Sequence, residues 1–589
     1  MVERGVALTG PSNQYFERLV ISRNSKKLFK NLNSDMKGAN ILIESLLKEN
    51  VEVIFGYPGG SVLPIFDCLY DAPVKFILPR HEQAAAHMAD GYARATGKVG
   101  VCLATSGPGA TNLTTGIATA YMDSIPMVAI TGQVKTSLIG NDAFQEADIT
   151  GITRSITKHN YLVKDARDLA RTIKEAFHVA RTGRPGPVLI DIPVDVQQQD
   201  TEFVWPDEVA IRGYKPTYFG HPGQIKRCAK IITSAKKPVI YAGGGVISSG
   251  AYQELKELAE KIQAPVTMTL MGLGGFPATH ELSLGMLGMH GTAYANHAIM
   301  EADLIIAIGA RFDDRVTGRI DAFAPNAKII HIDIDPSSIS KNVRVDIPIV
   351  GDVKHVLGQL LEEIKVACDT SSWLKIVEGW KKKYPLAYKD KKRISPQYIM
   401  EEIYEITKGE AIITTEVGQN QMWAAQWYKY THPHTFISSG GLGTMGFGFP
   451  ASMGAKIGCP EKTVFDIAGD GSIQMNIQEL ATCVCNKINV KVAILNNGYL
   501  GMVRQWQELF YKKRYSYTCI SGPDFVKLAE SYGAVGIRVT KKEEVRKAIE
   551  KAISIDNVVF IDFHIEQEEN VFPMVPAGEA INRMIGGMA

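Results

Sequence analysis

Short apolar runs alternate with longer amphipathic stretches along most of the chain, and glycine, proline or small polar residues punctuate the joins. Between Gly38 and Val196 the helix-like ANILIESLLKEN precedes the strand-like VEVIFGYPGG. VKFILPR then precedes the helix-like HEQAAAHMADGYARATG, and VGVCLAT precedes SGPGATN and a further helix. Such alternation predicts parallel strands covered by helices on both faces. GRPGPVLIDIPVDV reads as the last strand of this unit, with a proline stop, and residues 197–221 are polar and proline-dotted, a linker pattern. The strand patterns PVIYAGGGV, APVTMTL, ADLIIAIGA and AKIIHIDID mark a second unit, and GEAIITTEV, KTVFDIAGDG, VKVAILNN and VVFIDFHI a third. The fold class expected is α/β, with three doubly wound parallel-sheet domains over 36–200, 222–366 and 395–567. A leader (1–35) and a C-terminal arm (568–589) flank them. The basic run at 381–393 reads as a solvated linker face rather than a nucleic-acid contact.

Composition narrows the class. At 589 residues the chain is too long for one core, and 64 Lys+Arg against 62 Asp+Glu leaves no field that calls for a nucleic-acid partner. No run approaches the ~18 apolar residues a membrane helix needs. The eight cysteines form no C-x-x-C, and Cys483 and Cys485 point apart on an expected helix, which argues against zinc and disulfides and for a reducing compartment. The leader carries Arg4, Arg18, Arg23, Lys26, Lys27 and Lys30 without the apolar run of a secretory signal, and reads as a disordered or organelle-targeting segment.

The most informative stretch starts at Phe465: FDIAGDGSIQMNIQELATCVCNKINVKVAILNNGYLGMV. It reads as strand, glycine turn, helix, strand and turn. Asp470 closes the first strand and Asn497 the second, and a right-handed crossover brings both to one rim of the sheet, where open α/β folds bind ligands. A carboxylate, an amide oxygen and a backbone carbonyl form half a shell for Mg²⁺, completed by phosphate and water. Gly469 and Gly471 let backbone approach a diphosphate, and a helix starting near Asn476 is expected to offer its positive end. In this context GDG…NN resembles the diphosphate-and-metal motif of thiamine-diphosphate enzymes. Alone, Glu82 would be a solvated first-turn glutamate. Beside such a motif it is a candidate for the carboxylate that activates the coenzyme's aminopyrimidine.

The words FGYPGG (55–60), RHEQ (80–83), TSGPGATN (105–112), TGQV (131–134), DAFQEAD (142–148), GGLGTMGFG (440–448) and GMVRQWQ (501–507) occur in this order. Together they resemble the catalytic subunit of acetohydroxyacid synthases, also called acetolactate synthases, from about Gly38 to Arg583. The resemblance implies thiamine diphosphate, Mg²⁺ and FAD as cofactors. It implies decarboxylation of pyruvate and transfer of the two-carbon fragment to pyruvate or 2-oxobutyrate, the first step toward valine, leucine and isoleucine. By similarity Glu82 activates the coenzyme, and Asp470, Asn497 and the Tyr499 carbonyl hold the metal, with Gly471 and Ser472 at the diphosphate and Val417 and Gln419 lining the cofactor. Gly441, Gly443 and Gly446 form a GxGxxG, a dinucleotide decoy whose acidic partner, Asp466, falls inside the next strand. The resemblance gives Gly443 and Met445 to the pyrimidine and to the wedge between the two rings. It places Gly59, Phe144 and Gln145 around the reacting carbonyl, Arg315 at the acceptor carboxylate and Trp506 at the acceptor's extra methyl.

The central unit matches the family's FAD domain through Gly243, Gly244, Gly245, Thr269, Leu270, Met289, His290, Gly291, Arg311, Asp313, Arg315, Asp333, Ile334 and Asp352, with Arg184 contributed from the first unit. The family also implies a homodimer, or a tetramer built from it, with active sites between subunits, and a regulatory small subunit. Lys135 and Asn420 depart from the Pro and His of many relatives. A pyruvate oxidase is the enzymatic alternative. A silent nucleotide-binding regulator is the non-enzymatic one, disfavoured by the joint presence of Glu82, Asp470 and Asn497. Overall sequence style points to a plastid stroma, with a bacterial cytoplasm as the alternative.

Overall fold

The computed structural model describes residues 35–366, 368–389 and 393–586. The expected leader, apart from its last residue, lies outside them, as do 390–392 of the basic run and 587–589 of the arm.

Three six-stranded sheets form, each wholly parallel. The first runs, in spatial order, Lys75–Ile77, Val53–Gly56, Gly100–Ala104, Met127–Gln133, Pro187–Pro193 and His159–Leu162. Pro187–Pro193, last in sequence, therefore lies inside the sheet, and the half-exposed His159–Leu162 forms the edge. The third sheet repeats this order with Phe436–Ser438, Ile412–Thr415, Val464–Gly469, Lys491–Asn496, Val559–His564 and Val535–Val539. In both, the order reverses between the first and third strands in sequence, which opens a crevice at their carboxyl ends. The central sheet has the nucleotide-binding order, Ser283–Met286, Val266–Met268, Pro238–Ala242, Leu304–Ile308, Lys328–Asp333 and Ile347–Val350. Its crevice opens beyond Ala242 and Ile308. Inner strands such as Leu304–Ile308 and Pro187–Pro193 are buried at every position, because helices cover both faces.

Met36–Lys37 pairs antiparallel with Asp200–Thr201, so the first unit is closed at its neck. The 197–221 stretch is no free linker: Trp205, Ile211 and Tyr214 pack on the first unit's core, and the Tyr218 carbonyl accepts the Asp352 amide of the central unit (2.9 Å). Part of the expected basic linker is helix Ser371–Lys383, whose buried Trp373 donates from Nε1 to the Pro238 carbonyl (3.1 Å). Its apolar residues bind it to the central sheet, while the lysines of its last turn sit at the favourable end of the helix dipole.

The first and third units join through helices Glu82–Thr96 and Gly448–Gly458. Gly91 and Gly454 let the two backbones touch, since a Cβ at either would lie 2.1 Å from the Ala451 carbonyl oxygen or 1.9 Å from that of Met88. The C-terminal arm returns to the central unit, with Val571, Met574, Val575 and Ile581 buried and Arg319 donating its amide to the Glu579 carbonyl (3.0 Å).

Candidate active site

The crevices of the central and third sheets open into one cavity of about 890 Å³. Its floor in the third unit is the turn after strand Val464–Gly469. Asp470 is buried there, accepts the Gly498 amide (3.1 Å) and lies beside Asn497, whose Oδ1 accepts the Tyr499 amide (3.0 Å). Burial pushes the Asp470 carboxyl up to about 6, although the amides around it pull the other way. A desolvated carboxylate that no basic side chain neutralises is suited to a cation. No cluster of three or more His, Cys, Asp or Glu suited to a metal exists among the described residues. A divalent ion at Asp470 would thus draw on Asn497, a carbonyl and oxygens from outside the protein, which fits a hard ion bound with a diphosphate. The helix expected near Asn476 is replaced by two 3₁₀ turns, Ile473–Met475 and Ile477–Glu479, and the α-helix begins only at Leu480. Asn476 breaks the run with φ −132° while its side chain donates to the Gly446 carbonyl (2.6 Å).

The glycine loop after Phe436–Ser438 forms the opposite wall, with Gly443 and Met445 on the cavity and φ positive at Gly443 and Gly446. This loop is held from three sides. Asp123 accepts the amides of Gly440 (3.0 Å) and Gly441 (2.7 Å), Thr444 pairs with Thr119 (2.7 Å), and Glu416 takes the Gly446 amide (2.6 Å). Asp123 is itself fixed by Arg94 (2.9 Å), which also reaches Asp90 and the Ser438 carbonyl. Sequence reasoning had not assigned Arg94, Asp123 or Glu416. Arg94 and Asp123 show their role only through contacts more than three hundred positions away, and Glu416 through amides about thirty positions on.

Val417, Gln419, Gly471, Ser472, Tyr499 and Trp506 share the cavity, and Asn420, noted only as a departure, is bonded to the Glu416 and Ile467 carbonyls at its edge. From the central unit come Gly243, Gly244, Gly245, Thr269, Leu270, Met289, His290, Arg311, Asp313, Arg315, Asp333, Ile334 and Asp352, and from the first unit Arg184, whereas Gly291, next to His290 in sequence, does not line the cavity. A Cβ on Gly243 would sit 2.2 Å from the Gly309 carbonyl oxygen, so this turn stays bare backbone facing the cavity. Two buried polar atoms on the lining, the Tyr241 hydroxyl and His290 Nδ1, have no hydrogen-bond partner among the described residues. Bare glycine backbone, orphaned polar atoms and strand-end acids fit a nucleotide. Arg315 reaches only loosely to Asp314 (4.0 Å), its side chain 58% exposed, so its guanidinium is available to a ligand.

Glu82, Gly59, Phe144 and Gln145 are not on this cavity. They gather at the first sheet's own crevice, around Thr105–Gly109. A Cβ on Gly59 would press on Thr105 (2.5 Å), and Gly107 faces the backbone of Gln145. Gln145 has φ 58°, and Phe144 beside it is 88% exposed. Glu82 opens its helix, capped by His81, and Asn112 donates to its Oε2 (2.9 Å). The turn before it is anchored across the chain, with the Arg80 amide on the Glu479 carboxylate (2.9 Å), which burial pushes up to about 7. One chain therefore carries these two groups of residues on separate crevices.

The sequence matches three family profiles in chain order: the thiamine pyrophosphate enzyme N-terminal TPP binding domain over 36–152, the central domain over 225–360 and the C-terminal TPP binding domain over 416–563. It is 52% identical to the acetolactate synthase large subunit of Buchnera aphidicola subsp. Schizaphis graminum, covering 93% of this chain and 98% of that one. Against the acetolactate synthase isozyme 3 large subunit of Escherichia coli the identity is 50%, with 93% and 98% covered, and against the Corynebacterium glutamicum large subunit 52%, with 92% and 89% covered. These relatives are bacterial and lend no support to the expected plastid location. With its three parallel-sheet domains, its glycine-lined cavity and similarity over nearly its whole length, the chain belongs to the thiamine pyrophosphate enzymes, in the acetolactate synthase large-subunit family.

Proposed function

We propose that this chain forms 2-acetolactate from two molecules of pyruvate, and 2-aceto-2-hydroxybutyrate from pyruvate and 2-oxobutyrate. The reading is carried by the single cavity that joins Asp470, Asn497, Gly443 and Met445 to Arg315 and Trp506. Bound thiamine diphosphate supplies the electron sink for loss of CO₂ from pyruvate. Asp470, Asn497 and the Tyr499 carbonyl would hold Mg²⁺ on the diphosphate, and Gly471 and Ser472 would meet its oxygens. Glu82, with Oε2 fixed by Asn112, would keep Oε1 for a ring N–H of the pyrimidine. Arg315 would take the acceptor's carboxylate with its planar guanidinium, and Trp506 would contact its alkyl end. FAD would lie along Gly243–Gly245, with Asp333 and Asp352 toward its hydroxyls.

Because the Glu82 crevice and the cavity are separate in one chain, the complete site needs a second copy, whose first unit would cover the cavity of its partner. The 88% exposed Phe144 and 60% exposed Leu63 are the apolar surface such a contact would bury. A regulatory small subunit is the further partner suggested by the large-subunit names of the relatives. All eight cysteines are free thiols, in keeping with a reducing compartment, and the bacterial relatives favour a bacterial cytoplasm.

Purified protein given pyruvate, thiamine diphosphate, Mg²⁺ and FAD should produce acetolactate without oxygen uptake. Glu82→Gln should lose most turnover while retaining the diphosphate. Normal turnover by that variant would remove Glu82 from its role.

A further inference from the structure

Two carboxyl groups lie wholly buried behind the glycine loop, and neither touches the cavity. Glu416 follows strand Ile412–Thr415, and Asp466 sits in the neighbouring strand, in register with Thr414. Glu416 accepts from the loop and from the helix that follows it: Oε2 takes the Gly446 amide (2.6 Å) and Oε1 the Phe449 amide (3.0 Å). Asp466 Oδ1 accepts the Thr414 hydroxyl (3.1 Å), but its Oδ2 is buried with no partner. Both groups press on one point, Gly448, where a Cβ would meet Asp466 Oδ1 and the Glu416 amide at once.

A buried ionised oxygen without a partner is costly, whereas a protonated one beside an anion is not. The amides make Glu416 the better anion, and Asp466, with one hydroxyl, the better acid. Among the described residues no basic side chain forms an ion pair with either carboxyl, and the groups that act most strongly on them are Glu416's own charge on Asp466, the Thr414 hydroxyl and the amides of Gly446–Phe449. We propose that Glu416 and Asp466 hold one proton between them and act as a positioning pair, the anionic Glu416 gathering the Gly446 and Phe449 amides and the neutral Asp466 permitting that charge to stay buried. The pair thereby sets the loop that carries Gly443 and Met445. This rests on the reading that those two residues meet the coenzyme.

Burial pushes Glu416 up to about 7 against the pull of the amides, and burial together with Glu416's charge holds Asp466 well above the carboxylate range. Acidification below about 7 therefore fills Glu416 and weakens its hold on the two amides, while Asp466 stays neutral.

The test uses full-length protein and two variants that are not on the cavity. Infrared spectra of the coenzyme-free protein in mild alkali should contain a protonated carboxylic acid carbonyl band that Asp466→Asn removes. Titration with thiamine diphosphate and Mg²⁺, read by calorimetry, should give Asp466→Asn an affinity within about threefold of the parent. Glu416→Gln should bind at least about tenfold more weakly, and its affinity should decline less than the parent's between about pH 8 and 7, above the range in which Asp470 is protonated. No Asp466-dependent band, equal effects of the two substitutions, or the reverse order would overturn the pair. Should the parent protein bind no thiamine diphosphate at all while the band is present, the reading of the site fails and the shared proton stands.

Discussion

The contact between helices Glu82–Thr96 and Gly448–Gly458 allows one substitution to be judged against its mirror image elsewhere. In Gly454→Ala the new methyl would lie 1.9 Å from the Met88 carbonyl oxygen and 2.8 Å from its carbon. Ordinary contact begins at 3.4 Å, so the helices must part by about 1.5 Å at that point. Both obstacles are backbone and cannot rotate away. Overpacking of this kind costs ~1–3 kcal/mol, and the gain in helix propensity, ~1 kcal/mol, offsets only part of it. Gly379→Ala is the same change inside helix Ser371–Lys383, where nothing lies within 4 Å of the added atom. There the propensity gain stands alone, ~0.5–1 kcal/mol. Calorimetric unfolding should lower the midpoint for Gly454→Ala, by ~2–4 °C per kcal/mol for a unit of this size, and raise it slightly for Gly379→Ala. One strained helix starts at Glu82 and the other just beyond Met445, so Gly454→Ala should also weaken thiamine diphosphate binding, and Gly379→Ala should not. Shifts of the same sign in the two variants, or an unmoved midpoint for Gly454→Ala, would refute the close approach.

Asp470→Asn should lower Mg²⁺-dependent affinity for thiamine diphosphate by at least about tenfold in calorimetric titration, and an unchanged affinity would remove this carboxylate from the metal's shell. Trp506→Leu should reduce the preference for 2-oxobutyrate over pyruvate by ~10–100-fold, read as the product ratio in competition, because one methyl in an apolar pocket is worth ~1–3 kcal/mol. Asp191 accepts from Thr131 and Gln133, yet burial pushes its carboxyl up to about 7, so its contribution to stability is present below about 4 and lost as pH rises to about 7. The difference in melting temperature between Asp191→Asn and the parent should move in the variant's favour across that window, and a flat difference would count against a protonated Asp191.

Much of this architecture is written in local pattern. The apolar runs at Val464–Gly469 and Lys491–Asn496 mark adjacent strands, and their right-handed connection suffices to bring Asp470 near Asn497. Other features depend on partners far away in the sequence. Strand His159–Leu162 is only half-buried and opens with the polar His159 and Asn160, so it carries little apolar signal. Asp123 has nothing near it in sequence to announce that it clamps the amides of Gly440 and Gly441. Asp466 reads as one more strand residue, because its significance comes from Glu416 on the next strand. Gly91 and Gly454 look like ordinary helix glycines until two backbones meet there. The words around Glu82 mark a strand followed by a helix start, but nothing local in them places that start on a crevice apart from the cavity; only the resemblance, with its sites between subunits, implies it.

The neck formed by Met36–Lys37 and Asp200–Thr201 has an engineering consequence. Entry and exit of the first domain lie side by side, so a short tether from Thr201 to Met36 could join them and new termini could be cut at a surface turn, leaving the six parallel strands undisturbed. A pull on the chain ends would peel Tyr214, Ile211 and Trp205 from the core and then load that two-rung zipper before it reached any strand of the sheet, making the neck the domain's mechanical fuse.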